Sequence, residues 1–129
     1  MSDKINPKHY KSHPSGVECI EITEHLNFTR GNAIKYAWRA NDKGCTREDF
    51  KKCEWYIIRE IKRLNRVNDV HSYASELDVA YTKLYDYYYK DHEFDKRLFD
   101  FISNLIHGGQ DALAYALTII DSWVRELEQ

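Results

Sequence analysis

The apolar residues that follow Thr46 recur at intervals of three and four, at Phe50, Cys53, Ile57, Ile61 and Leu64. That spacing places side chains on one face of an α-helix. Three later segments show stripes of the same kind, at 77–88, 94–105 and 113–127. No segment alternates with a period of two for long enough to predict a strand. The sequence therefore predicts an all-α, single-domain bundle of about six helices.

The first 66 residues are predicted to form an extended arm followed by three helices. Pro7 and Pro14 disfavour regular structure in the arm. The helices are predicted to run from Val17 to about Leu26, from a cap at Thr29 to about Asn41, and from Thr46 to about Arg66, with Thr46 and Asp49 resembling a capping box.

Charge divides the chain into two parts, residues 1–66 and 67–129. The first part has 14 Lys and Arg against 9 Asp and Glu, a net charge of +5, and the second has 5 against 12, a net charge of −7. Either the two parts attract each other or the basic part has an anionic partner of its own. The acidic, tyrosine-rich second part completes the same domain or forms an oligomer interface. Because the whole chain carries only −2, there is no strong case for a DNA or RNA partner.

Several classes of protein are disfavoured by what the sequence lacks. Cys19, Cys45 and Cys53 show no CxxC spacing, which favours a reducing, cytoplasmic environment over a disulfide framework or a zinc ribbon. No stretch approaches the roughly 18 apolar residues of a membrane span, so no membrane partner is expected. The chain also lacks a phosphate-binding P-loop and the GxSxG, HExxH and EF-hand patterns.

A row of polar residues is predicted on the second helix. The segment Gly31–Gly44 reads GNAIKYAWRANDKG, and its spacing puts Asn32, Lys35, Tyr36 and Arg39 on one helical face. The intervening alanines, Ile34 and Trp38 would face the core. Lys and Arg one turn apart can hold a phosphate, and a tyrosine or tryptophan can stack on a base. The alternative is a solvated basic surface.

The third helix and the chain before the second helix add further candidates. The third helix has a similar polar face that carries Asp49, Lys52, Tyr56, Arg59 and Arg63. The two helices would therefore line one anionic-ligand cleft or both face solvent. His9 and His13 have metal-ligand spacing, but the flanking prolines disfavour a regular helix there. A hydrogen-bonding or phosphate-facing role is therefore expected for His9 instead. The spacing of Glu18, Glu21 and Glu24 suits Mg²⁺ bound to a nucleotide or, alternatively, a solvated acidic face.

Four blocks of the chain, in order, resemble a small bacteriophage family usually described as nucleotide kinase-like or of unknown function. The blocks are NPKHY, GVECIE, GNAIKYAWRANDKG and EDFKKCEWYI. A T7-type member of that family is a nucleoside monophosphate kinase without a P-loop, and it is longer than this chain. The resemblance implies a host-cytoplasmic, nucleotide-binding protein whose site contains Asn6, His9, Tyr10, Asn32, Lys35, Tyr36, Arg39, Asp49, Lys52 and Tyr56.

Three functions stay open at this level. In a kinase, Lys35 and Arg39 would neutralise the transferred phosphate, and Mg²⁺ would lie near Asp49 or Glu18. In a non-catalytic protein, the same face would sequester a nucleotide or cyclic nucleotide that serves as a host defence signal, and a homo-oligomer would suit that role. In a protein-interaction module, the acidic part would carry the function and no nucleotide would bind.

Overall fold

The structure is a computed structural model that describes residues 15–40, 46–66, 74–90 and 95–128. Over these ranges the chain forms six α-helices and no strand, which confirms the predicted all-α fold. They are α1 (Cys19–Thr23), α2 (Phe28–Ala40), α3 (Thr46–Arg66), α4 (Ala74–Lys90), α5 (Lys96–His107) and α6 (Gln110–Leu127). The predicted arm, with Asn6, His9 and Tyr10, lies outside the described residues. No helix in the described ranges is long and apolar enough to cross a membrane.

Helices α2 and α3 form an antiparallel pair. The Thr46 hydroxyl, at the start of α3, donates to the carbonyl of Ala40 at the end of α2 over 3.1 Å. Further from this junction, the rings of Tyr36 and Tyr56 lie 5.9 Å apart. This arrangement brings the polar faces of the two helices side by side. The alternative in which both helices line one cleft required such an arrangement.

The apolar faces of these helices are buried in a core that both parts of the chain build. The α2 residues predicted to face inward are all buried, as are Cys53 and Ile57 of the α3 stripe. Helix α5 contributes Phe101 and Ile102, and α6 contributes Ile120. Helix α3 packs on α6, and α2 packs on α5. Helices of the acidic part of the chain therefore help to cover the apolar faces of α2 and α3.

The start of α2 differs from the prediction. The helix begins at Phe28, so Thr29 lies inside it and is not its cap. The side-chain oxygen of Asn27 instead accepts the N–H of Arg30 at 2.9 Å, which is the bond an N-cap makes to the third helical residue. Asn27 and Thr29 are both suited to capping a helix. Asn27 is the residue that caps α2, because the hydroxyl of Thr29 donates to Glu60 instead.

Glu60 of α3 is only 1% exposed and is surrounded by hydrogen-bond donors. Arg30 Nε donates to its carboxylate at 2.6 Å, and so does the Thr29 hydroxyl. Asn27 and Arg63 also donate, at 3.0 and 2.8 Å. Burial alone raises the pKa of Glu60, but these bonds outweigh it and lower the pKa to about 2. The carboxylate is therefore a charged centre that joins α2 to α3.

Arg30 extends the same network to the turn between α5 and α6. Its Nη1 donates to the carbonyls of Leu105 and Gly108, at 3.1 and 2.6 Å. A side chain at Gly108 has no room, because an added Cβ would lie 2.5 Å from the carbonyl oxygen of Asn104 and 2.6 Å from the Cβ of Ala112. The buried Arg30–Glu60 pair thus fastens the basic part of the chain to the acidic part.

Candidate functional site

Three cationic side chains surround the ring of Tyr36. The ammonium groups of Lys35 and Lys52 each lie 5.3 Å from its centroid, and the guanidinium carbon of Arg39 lies 5.7 Å away. These distances are within the range of a cation–π interaction. Lys35 and Arg39 come from α2 and Lys52 from α3. We call these four residues the Tyr36 cluster.

Tyr56 connects this cluster to a second group of aromatic residues. Its ring is nearly parallel to that of Tyr36, with an interplanar angle of 11°. On its other sides it meets Phe28 at 6.0 Å and Trp55 at 5.0 Å, both with steep interplanar angles of 72° and 84°. The guanidinium carbon of Arg59 lies 5.2 Å from the Trp55 ring. We call Phe28, Trp55 and Arg59 the Trp55 cluster.

The two clusters and Tyr56 together form one cationic–aromatic face. Phe28 is 73% exposed and Trp55 is 54% exposed, although large aromatic side chains are usually covered. None of the ion pairs between described residues includes Lys35, Arg39, Lys52 or Arg59. The neighbouring Lys51, by contrast, is paired with Glu54 at 3.9 Å. The face therefore carries four positive charges, none of which forms an ion pair with a described carboxylate.

Asp49 lies one helical turn before Lys52 and is buried, at 2% exposure. Its Oδ2 is inaccessible and has no hydrogen-bond partner, and the same holds for Nε of Arg39. A buried, unpaired carboxylate oxygen is costly. Asp49 was predicted on a polar face opposite the core stripe, but in the structure its side chain is buried. Asp49 stands in the first turn of α3, the helix that packs on both α2 and α6.

Asn32 and Trp38 of α2 have clear positions, whereas Asn6, His9 and Tyr10 lie outside the described residues. The amide of Asn32 donates to the carbonyl of Phe28 at 2.8 Å, within its own helix. Trp38 is 5% exposed and packs against Tyr87, with ring centroids 4.4 Å apart, so it faces the core and cannot stack on a ligand at this face. The structure brings Lys35, Tyr36, Arg39, Lys52 and Tyr56 together, and their role in binding stays a prediction.

The acidic residues of α1 serve its own structure and its attachment to α4. The N–H of Glu18 donates to the carboxylate of Glu21 at 2.7 Å. Glu21 also meets Lys83 of α4 at 3.5 Å, and His25 meets Glu76 of α4 at 2.5 Å. Within the described ranges, no group of three or more His, Cys, Asp or Glu residues is arranged to hold a metal ion.

Phe28 and Trp55 are residues of this face that the helical spacing did not single out. Phe28 lies two turns before Tyr36 on the same side of α2, and Trp55 directly precedes Tyr56. From the sequence alone, an aromatic residue at either position is equally compatible with the hydrophobic core. Their exposure depends on how α2 and α3 are rotated in the bundle, which no spacing within a single helix reveals.

One comparison with known proteins finds a match. A DUF3310 domain, described as a protein of unknown function, is found at residues 4–58. It spans the arm, α1, α2 and the first part of α3, and so contains the Tyr36 cluster and Tyr56 but ends before Arg59. No curated protein and no solved structure matches the chain.

Proposed function

We propose that the cationic–aromatic face binds a nucleotide and that the Tyr36 cluster holds its phosphate. The observation that carries this proposal is the convergence of three cations on the half-buried ring of Tyr36, with no described carboxylate paired to any of them. Like charges brought together repel each other, and a bound anion turns that repulsion into attraction. Arg39 offers a planar pair of donors, and Lys35 and Lys52 offer mobile point charges.

Two forms of this function differ in whether the nucleotide is altered. Sequestration of a nucleotide or cyclic nucleotide needs only the cations and aromatic rings already described. A nucleoside monophosphate kinase, which the phage-family resemblance favours, also needs Mg²⁺ beside the phosphates. Mg²⁺ is commonly held by one or two carboxylates together with substrate phosphates. Asp49 lies one helical turn before Lys52, but its Oδ2 is inaccessible, so the kinase form also requires Asp49 to become exposed before it can contact the ion.

The first experiment is a binding and recovery assay. The protein is mixed with Mg²⁺ and a panel of mono-, tri- and cyclic nucleotides, separated from unbound ligand and denatured, and the released ligand is chromatographed. An intact ligand supports sequestration. A diphosphate recovered from a monophosphate and ATP supports a kinase, and loss of turnover in Asp49→Asn with retained binding would assign Asp49 to the reaction. If the protein neither retains nor converts any nucleotide, the proposal is wrong.

Substitutions locate the bound phosphate. Lys35→Ala, Arg39→Ala and Lys52→Ala should each weaken binding by about 1.5–3 kcal/mol, as expected for hydrogen bonds to a charged group. Lys51→Ala is the matched control, because Lys51 is adjacent to Lys52 but is paired with Glu54 and has no place in the Tyr36 cluster. Equal effects of Lys51→Ala and Lys52→Ala would indicate a general charge effect instead of a site.

A protein-interaction role for the acidic part is the other candidate function, and α4 supplies the observation that favours it. Val79, Tyr85 and Tyr89 are 40%, 47% and 64% exposed, and the two tyrosine rings stack on each other at 6.1 Å. A homo-oligomer that used this surface would be smaller in solution after Tyr85→Ser and Tyr89→Ser. Light scattering coupled to size-exclusion chromatography measures this directly.

A further inference from the structure

The geometry points to a nucleobase site at Phe28 and Trp55, next to the phosphate-binding cations. This inference rests on the proposed function. It gives the base of the nucleotide a binding site, whereas the Tyr36 cluster accounts only for the phosphate. A nucleotide has a planar, largely apolar base in addition to its phosphate, and aromatic side chains bind bases of every kind by stacking. The cationic–aromatic face has exposed rings at only one end, the Trp55 cluster.

The exposure of these two rings sets them apart from their neighbours. Phe28 and Trp55 are 73% and 54% exposed, whereas Trp38 is 5% exposed. Both rings stand steeply against Tyr56, so neither is stacked on it. Most of the Phe28 side chain is open to solvent, and one side of Trp55 carries the Arg59 guanidinium. A base placed here would stack on a ring and lie beside a cation.

The base site and the phosphate site lie within reach of one nucleotide. Tyr36 and Trp55 are 5.9 and 5.0 Å from the centroid of Tyr56 between them, so their own centroids are no more than about 11 Å apart. The base is attached at C1′ and the phosphate at C5′ of the same ribose, so one nucleotide that reaches across Tyr56 can contact both clusters.

The test separates the base from the phosphate. Affinities are measured by calorimetry for ribose 5-phosphate and for the monophosphates of adenosine, guanosine, cytidine, uridine and thymidine. We expect at least one nucleotide to bind about tenfold more tightly than ribose 5-phosphate, equivalent to about 1.4 kcal/mol. In Phe28→Ala and Trp55→Ala that advantage should disappear while the affinity for ribose 5-phosphate is unchanged. Both positions are exposed, so far-UV circular dichroism should show the folded protein.

Two controls make the result specific. Tyr115→Ala removes a comparably exposed ring from α6, 61% exposed, and should change neither affinity. Nucleotide, but not ribose 5-phosphate, should quench the tryptophan fluorescence of the protein, and Trp55→Phe should abolish that quenching while it keeps most of the affinity, because a stacking ring remains.

The outcomes distinguish this inference from the function on which it rests. Equal affinity for ribose 5-phosphate and every nucleotide, or unchanged nucleotide affinity in Phe28→Ala and Trp55→Ala, would overturn the base site and leave phosphate binding standing. If neither ribose 5-phosphate nor any nucleotide binds, the proposed function itself fails and the base site fails with it.

Discussion

The buried carboxylate of Glu60 should make the stability of this protein depend on pH in a way that one substitution removes. Its pKa is lowered from 4.5 to about 2 in the folded chain, whereas in the unfolded chain it returns to its ordinary value. A lowered folded-state pKa stabilises the protein fully above the unfolded pKa, and the stabilisation is lost as the pH falls through the folded pKa. The loss is therefore expected between about pH 4.5 and pH 2.

The size of the effect follows from the shift. Each pKa unit corresponds to about 1.4 kcal/mol, so Glu60 should contribute about 3 kcal/mol to the free energy of unfolding at pH 7. Glu60→Gln removes the charge and leaves Arg30, which is 1% exposed, without its ionic partner. Removing one member of a buried pair is itself strongly destabilising, by roughly 3–5 kcal/mol.

Urea unfolding followed by circular dichroism, at several pH values between 7 and 2, measures both quantities. The difference in unfolding free energy between the native protein and Glu60→Gln should be large at pH 7 and should shrink by about 3 kcal/mol as the pH approaches 2. Carboxylates other than Glu60 titrate in both proteins and cancel. Glu48→Gln, at an exposed position of the same helix, should show no such dependence. A difference that stayed constant with pH would refute the reasoning.

Three further substitutions or reactions test the packing. Trp38→Ala should lower the unfolding free energy by about 3–5 kcal/mol without altering ligand affinity in the folded fraction; a stable variant that lost binding would place Trp38 in the site. Gly108→Ala should cost about 1–3 kcal/mol through overpacking, measured by thermal unfolding, whereas Gly109→Ala, where an added Cβ meets nothing within 4 Å, should cost less. Burial raises the pKa of the Cys53 thiol, so peptide mass mapping should find Cys53 alkylated only in denaturant, and its rapid alkylation in the native protein would contradict the buried position.

Local sequence determined much of this fold because the helical period is a property of neighbouring residues. The positions of Ala33, Ile34, Ala37 and Trp38 on an inward face followed from their spacing, and so did the α3 stripe containing Cys53. Each of these assignments compares residues within one helix and needs no knowledge of any other. The grouping of Lys35, Tyr36 and Arg39 on one side of α2 was accessible for the same reason.

Tertiary structure decided what those faces meet. The stacking of Tyr36 with Tyr56, the burial of Asp49 and the exposure of Trp55 depend on the rotation of α2 against α3, which the spacing within one helix leaves undetermined. The choice of Asn27 over Thr29 as the cap of α2 likewise depended on Glu60, which lies about 30 residues later in the chain. The sequence alone thus determined the helices and their faces, and contacts between distant residues determined the site, because a side chain's burial and electrostatic environment come from the neighbours that folding brings to it.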